Sequence, residues 1–199
     1  MTKKELFRWG TVGPWITEPK TDTQYKIEQI RDTLYIAFQG SISDVDWRQN
    51  FQAWKKPYKN QDFAWFAHAG FLKKWKAVED KITETVSFSG AYRVVVFGFS
   101  QGAALATLCH ESIWYNFIQY RSTILTYVYG CPRVVGLWNH KKLAPRFERI
   151  KRYEATGDLV TRVPPAIFGY RHVGKAEKLK SPYHWWQFEK NHMSYGGLL

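Results

Sequence analysis

Cysteine is scarce in this chain of 199 residues, which has only Cys109 and Cys131. Two cysteines cannot form a framework of disulfide bridges, and these two lack the paired spacing of a metal site. Both lie beside apolar segments, so we expect them to be small, buried core residues. We expect the protein to use neither a metal nor another cofactor.

Long apolar runs are also missing. No window approaches the ~18 apolar residues of a membrane-spanning helix, and residues 1–8 lack the apolar centre of a signal peptide. The sequence therefore predicts a soluble protein without a transmembrane segment. We expect it to be cytoplasmic or released without a standard signal peptide.

Acidic residues are few, with 17 Asp and Glu against 29 Lys and Arg, which gives a net charge of +12. Such a charge favours nucleic acid or an anionic lipid surface as partner. No RNA-recognition, zinc-finger or helix-turn-helix signature is present, so nucleic acid is not expected. A solvated basic surface without a dedicated partner explains the charge equally well. No feature indicates the oligomeric state.

The length predicts one domain over residues 1–199. Aromatic residues make up 18% of the chain and include ten Trp, which suggests that some of them serve a surface as well as a core. Apolar strand patterns at residues 34–38, 94–97, 124–129 and 149–155 alternate with helical patterns. This alternation predicts an α/β fold with a mostly parallel central sheet and helices on both faces.

Regular structure is expected from residue 25 onward, after an irregular lead-in over residues 1–24. A basic helix is expected over 137–147, a last strand over 170–173 and a polar connection over 175–180. The segment after residue 41 mixes aromatic residues and lysines. By its spacing alone it is either an amphipathic helix packed on the core or a mobile flap.

The most informative stretch is Gly98-Phe99-Ser100-Gln101-Gly102, which lies between a β-branched apolar run and a run of helix formers. It predicts a strand, a sharp turn and a helix, with Ser100 as a nucleophile and two glycines that leave room for the turn. The backbone NH of Gln101 would then point from the helix N-terminus at a developing oxyanion. An ordinary glycine-flanked turn is the alternative that this stretch alone leaves open.

A serine nucleophile needs a histidine base, and that histidine needs an orienting carboxylate. In this type of fold the chain order is serine, acid, histidine. Asp158 is the only aspartate after Ser100, and it follows a predicted strand. Of the later histidines, we interpret His172 as a packed strand residue. His184 and His192 both stay open as the base, with His192 favoured because it follows a polar loop.

Several blocks of the chain occur in the order in which the class 3 lipases have them, and the sequence resembles that family from about residue 34 to residue 195. The blocks are AFQGS at 37–41, DW at 46–47, HAGF at 68–71, GFSQG at 98–102, YGCPRV at 129–134, GDLVTRVPP at 157–165, HVG at 172–174 and HMSY at 192–195.

The resemblance implies an α/β-hydrolase fold with Ser100 as nucleophile, Asp158 as acid and His192 as base. It further implies that Ser41 supplies the second oxyanion donor beside Gln101, and that residues 42–57 form a lid. The implied activity is a lipase or carboxylesterase that cleaves lipid acyl esters through an acyl-enzyme. Transient binding to a lipid interface is expected with it.

Other functions stay open. A phospholipase A1 or a thioesterase would use the same three residues, and a non-catalytic basic module that binds membrane or nucleic acid is a further alternative. The sequence also departs from the family at Phe99, where a histidine is usual, and at Gln101, where an aliphatic residue is usual. With these two residues the turn looks more like that of cutinases. The N-terminus is shorter than in the family.

Overall fold

The computed structural model of the protein describes residues 1–40, 54–59, 64–136 and 140–199. Ser41 and residues 42–53 of the predicted lid lie outside the described residues. The described helices are α1 (Lys3–Thr11), α2 (Ala69–Phe88), α3 (Gln101–Asn116), α4 (His140–Leu143), α5 (Phe188–Met193) and α6 (Tyr195–Leu198). The described strands are β1 (Ile16–Glu18), β2 (Thr23–Ile30), β3 (Thr33–Phe38), β4 (Lys55–Lys59), β5 (Ala64–His68), β6 (Arg93–Phe99), β7 (Leu125–Tyr129), β8 (Val135–Gly136), β9 (Ile150–Ala155), β10 (Tyr170–Arg171) and β11 (Lys175–Leu179).

The main sheet has seven strands in the order β1-β2-β3-β6-β7-β9-β11. The first three strands pair antiparallel, whereas β3, β6, β7, β9 and β11 run parallel to one another. The carboxyl ends of these five strands therefore meet at one edge of the sheet, which we call the carboxyl edge. In open α/β sheets this is the edge where ligand sites form.

Helices cover both faces of the sheet because side chains alternate along its buried strands. Ile36 of β3 and Val96 of β6 belong to the core cluster that contains the apolar stripes of α2 and α3. Their chain neighbours Ala37 and Phe97 belong to a second cluster, together with Leu6 of α1. The predicted fold class, a mostly parallel sheet with helices on both faces, is confirmed.

A second, antiparallel sheet has the strand order β10-β8-β5-β4. Its strand β4 pairs with β5 through Lys56 opposite Ala67 and Pro57 opposite Phe66. The predicted lid boundary at residue 57 therefore runs into a paired strand, and residues 55–57 are part of this sheet. Trp54, just before the strand, is largely exposed.

The N-terminal prediction was wrong, because residues 1–24 contain α1 and β1 rather than an irregular lead-in. The Thr2 side chain accepts a hydrogen bond from the Glu5 backbone, and the Glu5 carboxylate accepts one from the Thr2 backbone, which forms a capping box. Gly10 then allows α1 to lie against the ring of Phe97, which a Cβ at that position would overlap. The helix thus covers one face of the sheet.

Two further expectations differ from the structure. Residues 175–179, expected as a polar connection, form β11, which pairs parallel with β9 at the end of the sheet. Its side chains are mostly exposed, so its composition resembles that of a loop. Of the basic helix expected over 137–147, residues 137–139 lie outside the described residues, and residues 140–147 form α4 followed by a 3-10 turn at Ala144–Phe147, where Pro145 interrupts the α-helix.

Both cysteines are buried and unpaired, as predicted. No helix among the described ranges is long and apolar enough to cross a membrane.

Candidate active site

Ser100 stands at a sharp turn between β6 and α3, at the carboxyl edge. Its φ of 55° and ψ of −124° are strained for a residue with a Cβ. The turn closes tightly, since a Cβ at Gly98 would overlap the carbonyl of Gly102, and one at Gly102 would overlap that of Phe38. The Ser100 NH donates to the Tyr129 carbonyl on the next strand at 2.9 Å. Packing on three sides thus holds the serine in its strained conformation.

His192 and Asp158 lie in line with this serine. The Nε2 atom of His192 is 2.8 Å from Ser100 Oγ, and its Nδ1 atom is 3.0 Å from Asp158 Oδ2. Ser100 and Asp158 are almost fully buried, whereas the His192 side chain is 13% exposed. The three residues that the sequence selects are brought together from chain positions up to 92 residues apart.

The Asp158 carboxylate has further donors that hold its orientation. The Val160 NH donates to Oδ1 at 2.9 Å, and the Tyr195 hydroxyl donates to Oδ2 at 2.6 Å. The same hydroxyl accepts the Ala155 NH at 2.9 Å. Burial, and then the charge of Asp158, raise the pKa of Tyr195 above its ordinary value, so the phenol keeps its proton and donates. In the sequence Tyr195 belongs to the HMSY block, where no local signal predicts this role.

The His192 imidazole is enclosed by aromatic and backbone groups. Phe99 stacks on it at a centroid distance of 4.9 Å, and Tyr195 meets it edge-on at 6.4 Å. Gly130 lies beneath the ring with a φ of 57°, and a Cβ there would be 2.8 Å from the His192 Cε1 atom. The ring therefore fits a space that only a glycine at 130 leaves open.

His192 lies on the short helix α5. Its neighbour Asn191 is fully buried and donates from Nδ2 to the His184 carbonyl at 2.9 Å. Gly157 lies against Asn191, where a Cβ would overlap the side-chain amide. Asn191 thereby ties the histidine's helix to the turn before Asp158.

The other two histidines have different surroundings. His172 donates from Nε2 to the Thr161 carbonyl at 2.6 Å, and burial, with a contribution from Arg152, lowers its pKa to about 4. It is packed, as interpreted, but it follows β10 and does not lie within the strand expected over 170–173. His184 is exposed, and its ring stacks on that of Trp186 at 4.3 Å.

The two predicted oxyanion donors differ in what the structure describes. Gln101 is the first residue of α3, and NH groups in the first turn of a helix have no acceptor within the helix. Ser41 lies outside the described residues. Gly40, just before it, passes close to the turn, since a Cβ there would be 3.2 Å from the Ser100 Cβ. Within the described ranges, no group of three or more His, Cys, Asp or Glu could hold a metal ion.

A mostly parallel sheet with a serine at a strand-turn-helix elbow, followed in the chain by an acid and a histidine, defines the α/β-hydrolase fold. The family model described as Lipase (class 3) matches residues 35–168, which is more than half of the chain. The protein therefore belongs to the class 3 lipase family, and the resemblance found in the sequence is confirmed.

Individual relatives agree with this assignment. The chain is 28% identical over 162 residues to secreted mono- and diacylglycerol lipase 1 of Fusarium solani, an alignment that covers 79% of this chain and 45% of the relative. It is 29% identical over 148 residues to a lipase of Rhizomucor miehei, covering 72% and 40%. The chain thus spans about half the length of these relatives or less.

Solved structures show the same fold. The triacylglyceride lipase of Rhizomucor miehei superposes with a TM-score of 0.73 at 25% identity, covering 85% of this chain and 66% of that one. A mutant of MDLA from Penicillium cyclopium gives a TM-score of 0.69 at 28% identity, covering 87% and 65%.

Proposed function

We propose that the protein is a serine ester hydrolase that cleaves acyl esters of lipids. The observation that carries this proposal is the line of hydrogen-bonding atoms from Ser100 Oγ through the His192 ring to Asp158 Oδ2, with distances of 2.8 Å and 3.0 Å. A hydroxyl, an imidazole and a carboxylate in this geometry are the parts that acyl transfer requires.

In the proposed reaction, His192 Nε2 takes the Ser100 proton while Oγ attacks the ester carbonyl carbon. The buried Asp158 carboxylate holds the ring through Nδ1 and stabilises the imidazolium that forms. The NH groups of Gln101 and Ser41 hold the oxyanion of the tetrahedral intermediate. The imidazolium then protonates the leaving alcohol, and water, activated by the same histidine, hydrolyses the acyl-enzyme and frees the serine.

The substrate class is inferred from the relatives. Proteins named mono- and diacylglycerol lipase and triacylglyceride lipase share the family and the fold, which supports a glycerolipid ester as substrate. We further propose that residues 1–199 act as a single hydrolase domain, that residues 42–54 form the lid, and that the protein is released, as the name of the Fusarium solani relative states for that protein.

A phospholipase A1 is the second candidate, and the net charge of +12 favours it, because an anionic phospholipid surface attracts a basic protein. The two candidates share one mechanism and differ in head group. A panel of triacylglycerol, neutral phospholipid and anionic phospholipid, assayed at equal interfacial area and low salt, separates them by relative rate.

The test of the chemistry uses soluble p-nitrophenyl esters with acyl chains from acetyl to octanoyl. The wild type is expected to turn them over and to react with a fluorophosphonate probe, and Ser100→Ala and His192→Ala are each expected to lose nearly all turnover. Ser87→Ala and His184→Ala replace exposed residues of the same types and are expected to keep it. An active Ser100→Ala protein would refute the proposal. If the wild type did not react with the fluorophosphonate probe and instead bound DNA in a salt-sensitive way, a non-catalytic module would be favoured.

A further inference from the structure

Large apolar side chains are exposed directly beside the candidate triad. Leu159 follows Asp158 in the chain and Met193 follows His192, and they are 40% and 69% exposed. Trp185 and Trp186, on the loop before α5, are 72% and 58% exposed. Tyr183 precedes them on the same loop, and Phe188 begins α5; both are exposed. These six residues form what we call the apolar rim: Leu159, Tyr183, Trp185, Trp186, Phe188 and Met193.

Topology places the rim at the carboxyl edge, where Ser100 lies. Leu159 follows the carboxyl end of β9, and the tryptophan loop follows that of β11, its parallel neighbour in the sheet. The elbow follows the carboxyl end of β6 in the same parallel set. The rim and the serine therefore lie at the same edge of the sheet.

The loop that carries the tryptophans is built into the fold. The Ser181 NH donates to Thr156 Oγ1 at 2.9 Å, and Asn191 Nδ2 donates to the His184 carbonyl at 2.9 Å. Gly157 lies close to the backbone of Trp185, where a Cβ would be 3.2 Å from its Cα. The two exposed indoles are thus carried by a loop that is anchored beside the Asp158 turn.

Exposed apolar side chains grouped in one place mark an interaction surface. Tryptophan is the side chain that settles at the boundary between water and acyl chains, because its ring is apolar and its NH is polar. The segment 180–193, which carries the tryptophans and α5, contains the exposed lysines Lys180 and Lys190 and one acidic residue, Glu189. Lys180 precedes the tryptophan loop, and Lys190 lies on α5 between Phe188 and Met193 of the rim.

We propose that the apolar rim is the contact surface of this protein for an anionic phospholipid layer, with Trp185 and Trp186 entering the interface and Lys180 and Lys190 contacting the head groups. The contact is made by the anchored loop before α5 and by α5 itself. It turns the carboxyl edge toward the lipid, so that an ester could reach Ser100. The proposal rests on the proposed function for its biological purpose, and its test is independent of catalysis.

The experiment measures co-sedimentation of the full chain with vesicles of phosphatidylcholine alone or mixed with phosphatidylglycerol. Every protein carries Ser100→Ala, so that no lipid is hydrolysed and the outcome does not depend on whether Ser100 is catalytic. The test variant is Trp185→Ser with Trp186→Ser. The matched control is Phe88→Ser with Tyr92→Ser, which replaces two exposed aromatic residues that precede the amino end of β6.

The Ser100→Ala parent is expected to bind the anionic vesicles, and the tryptophan variant to bind at least about tenfold more weakly, while the control binds like the parent. Lys180→Gln is expected to weaken binding about fivefold on anionic vesicles and to have little effect on neutral ones, with the difference fading at high salt. Thermal unfolding is measured for each variant to show that it is folded.

Two outcomes would overturn the proposal. One is binding by the folded tryptophan variant at the parent's affinity. The other is absence of vesicle binding by the parent on both compositions, which would leave a protein partner as the occupant of the rim. If the proposed function is wrong, the wild type will show no turnover in the ester assay. The vesicle result does not depend on that outcome.

Discussion

The ring of Phe99 stacks on the imidazole of His192, with a centroid distance of 4.9 Å and an angle of 24° between the planes. Phe99 precedes Ser100, so the elbow that presents the serine also packs on the histidine. Phe7 of α1 and Tyr195 of α6 meet the Phe99 ring edge-on. Phe99 thereby connects α1 to His192. It occupies a position where the family usually has a histidine.

Replacement of this ring tests the stack. Phe99→Leu keeps an apolar side chain but removes the aromatic face, and we expect kcat on a soluble ester to fall about tenfold, in line with an aromatic contact of about 1.5 kcal/mol. KM is expected to change little, because the ring orients the base. Phe99→Tyr keeps the stack and should retain most of kcat. Wild-type kcat in a folded Phe99→Leu protein would contradict this role.

The Tyr195 hydroxyl is expected to position Asp158. Tyr195→Phe keeps the ring and removes a hydrogen bond to a charged group, of a kind that contributes about 1.5–3 kcal/mol. We expect kcat to fall about tenfold or more, and the protein to lose about 1 kcal/mol of unfolding free energy because the Ala155 NH loses its acceptor. Tyr183→Phe, at an exposed tyrosine, is the control in kinetics and urea unfolding. Equal kinetics for the two variants would refute the role.

The glycines of the elbow are expected to be important for stability. Gly98→Ala places a methyl group on the Gly102 carbonyl, and backbone on both sides leaves it no room. We expect a loss of about 3 kcal/mol in unfolding free energy, measured by urea denaturation. Gly197→Ala is the matched control, since a Cβ there meets nothing within 4 Å and α6 gains helix propensity. Similar effects at the two positions would contradict the steric account.

The free energy of unfolding is expected to fall as the pH is lowered, because buried histidines stay neutral in the folded protein. Full burial lowers the pKa of His110 to about 3, and its neutral ring donates from Nε2 to the Arg146 carbonyl and accepts at Nδ1 from Thr126. The unfolded chain binds this proton near pH 6.5, so the free energy of unfolding drops as pH falls from about 6.5 toward 3, by up to ~1.4 kcal/mol per pH unit.

His68 and His172, whose pKa values burial lowers to about 4, add to this loss. Urea unfolding at pH 7, 6 and 5 measures the dependence. His110→Gln should show a shallower one than the wild type, and an identical slope for the two proteins would rule out His110 as a source.

The elbow and the buried strands could be predicted from the sequence because their determinants are local. Glycine spacing around Ser100 and the β-branched run before it dictate a turn after a strand. The stripe of apolar residues in α2 likewise predicts its own helix. Edge elements carry weaker signals, and β11 was missed because its side chains are mostly exposed and need not be apolar.

The sequence by itself determined the fold class, the family and a short set of candidate residues in a definite chain order. Only the tertiary structure decided how Tyr195, Gly130 and Phe99 surround the His192 ring, and which aromatic residues stay exposed beside it. Those relationships join segments far apart in the chain through packing and hydrogen bonds. Local patterns cannot encode them, because a residue's partner across the sheet leaves no periodicity in its own segment.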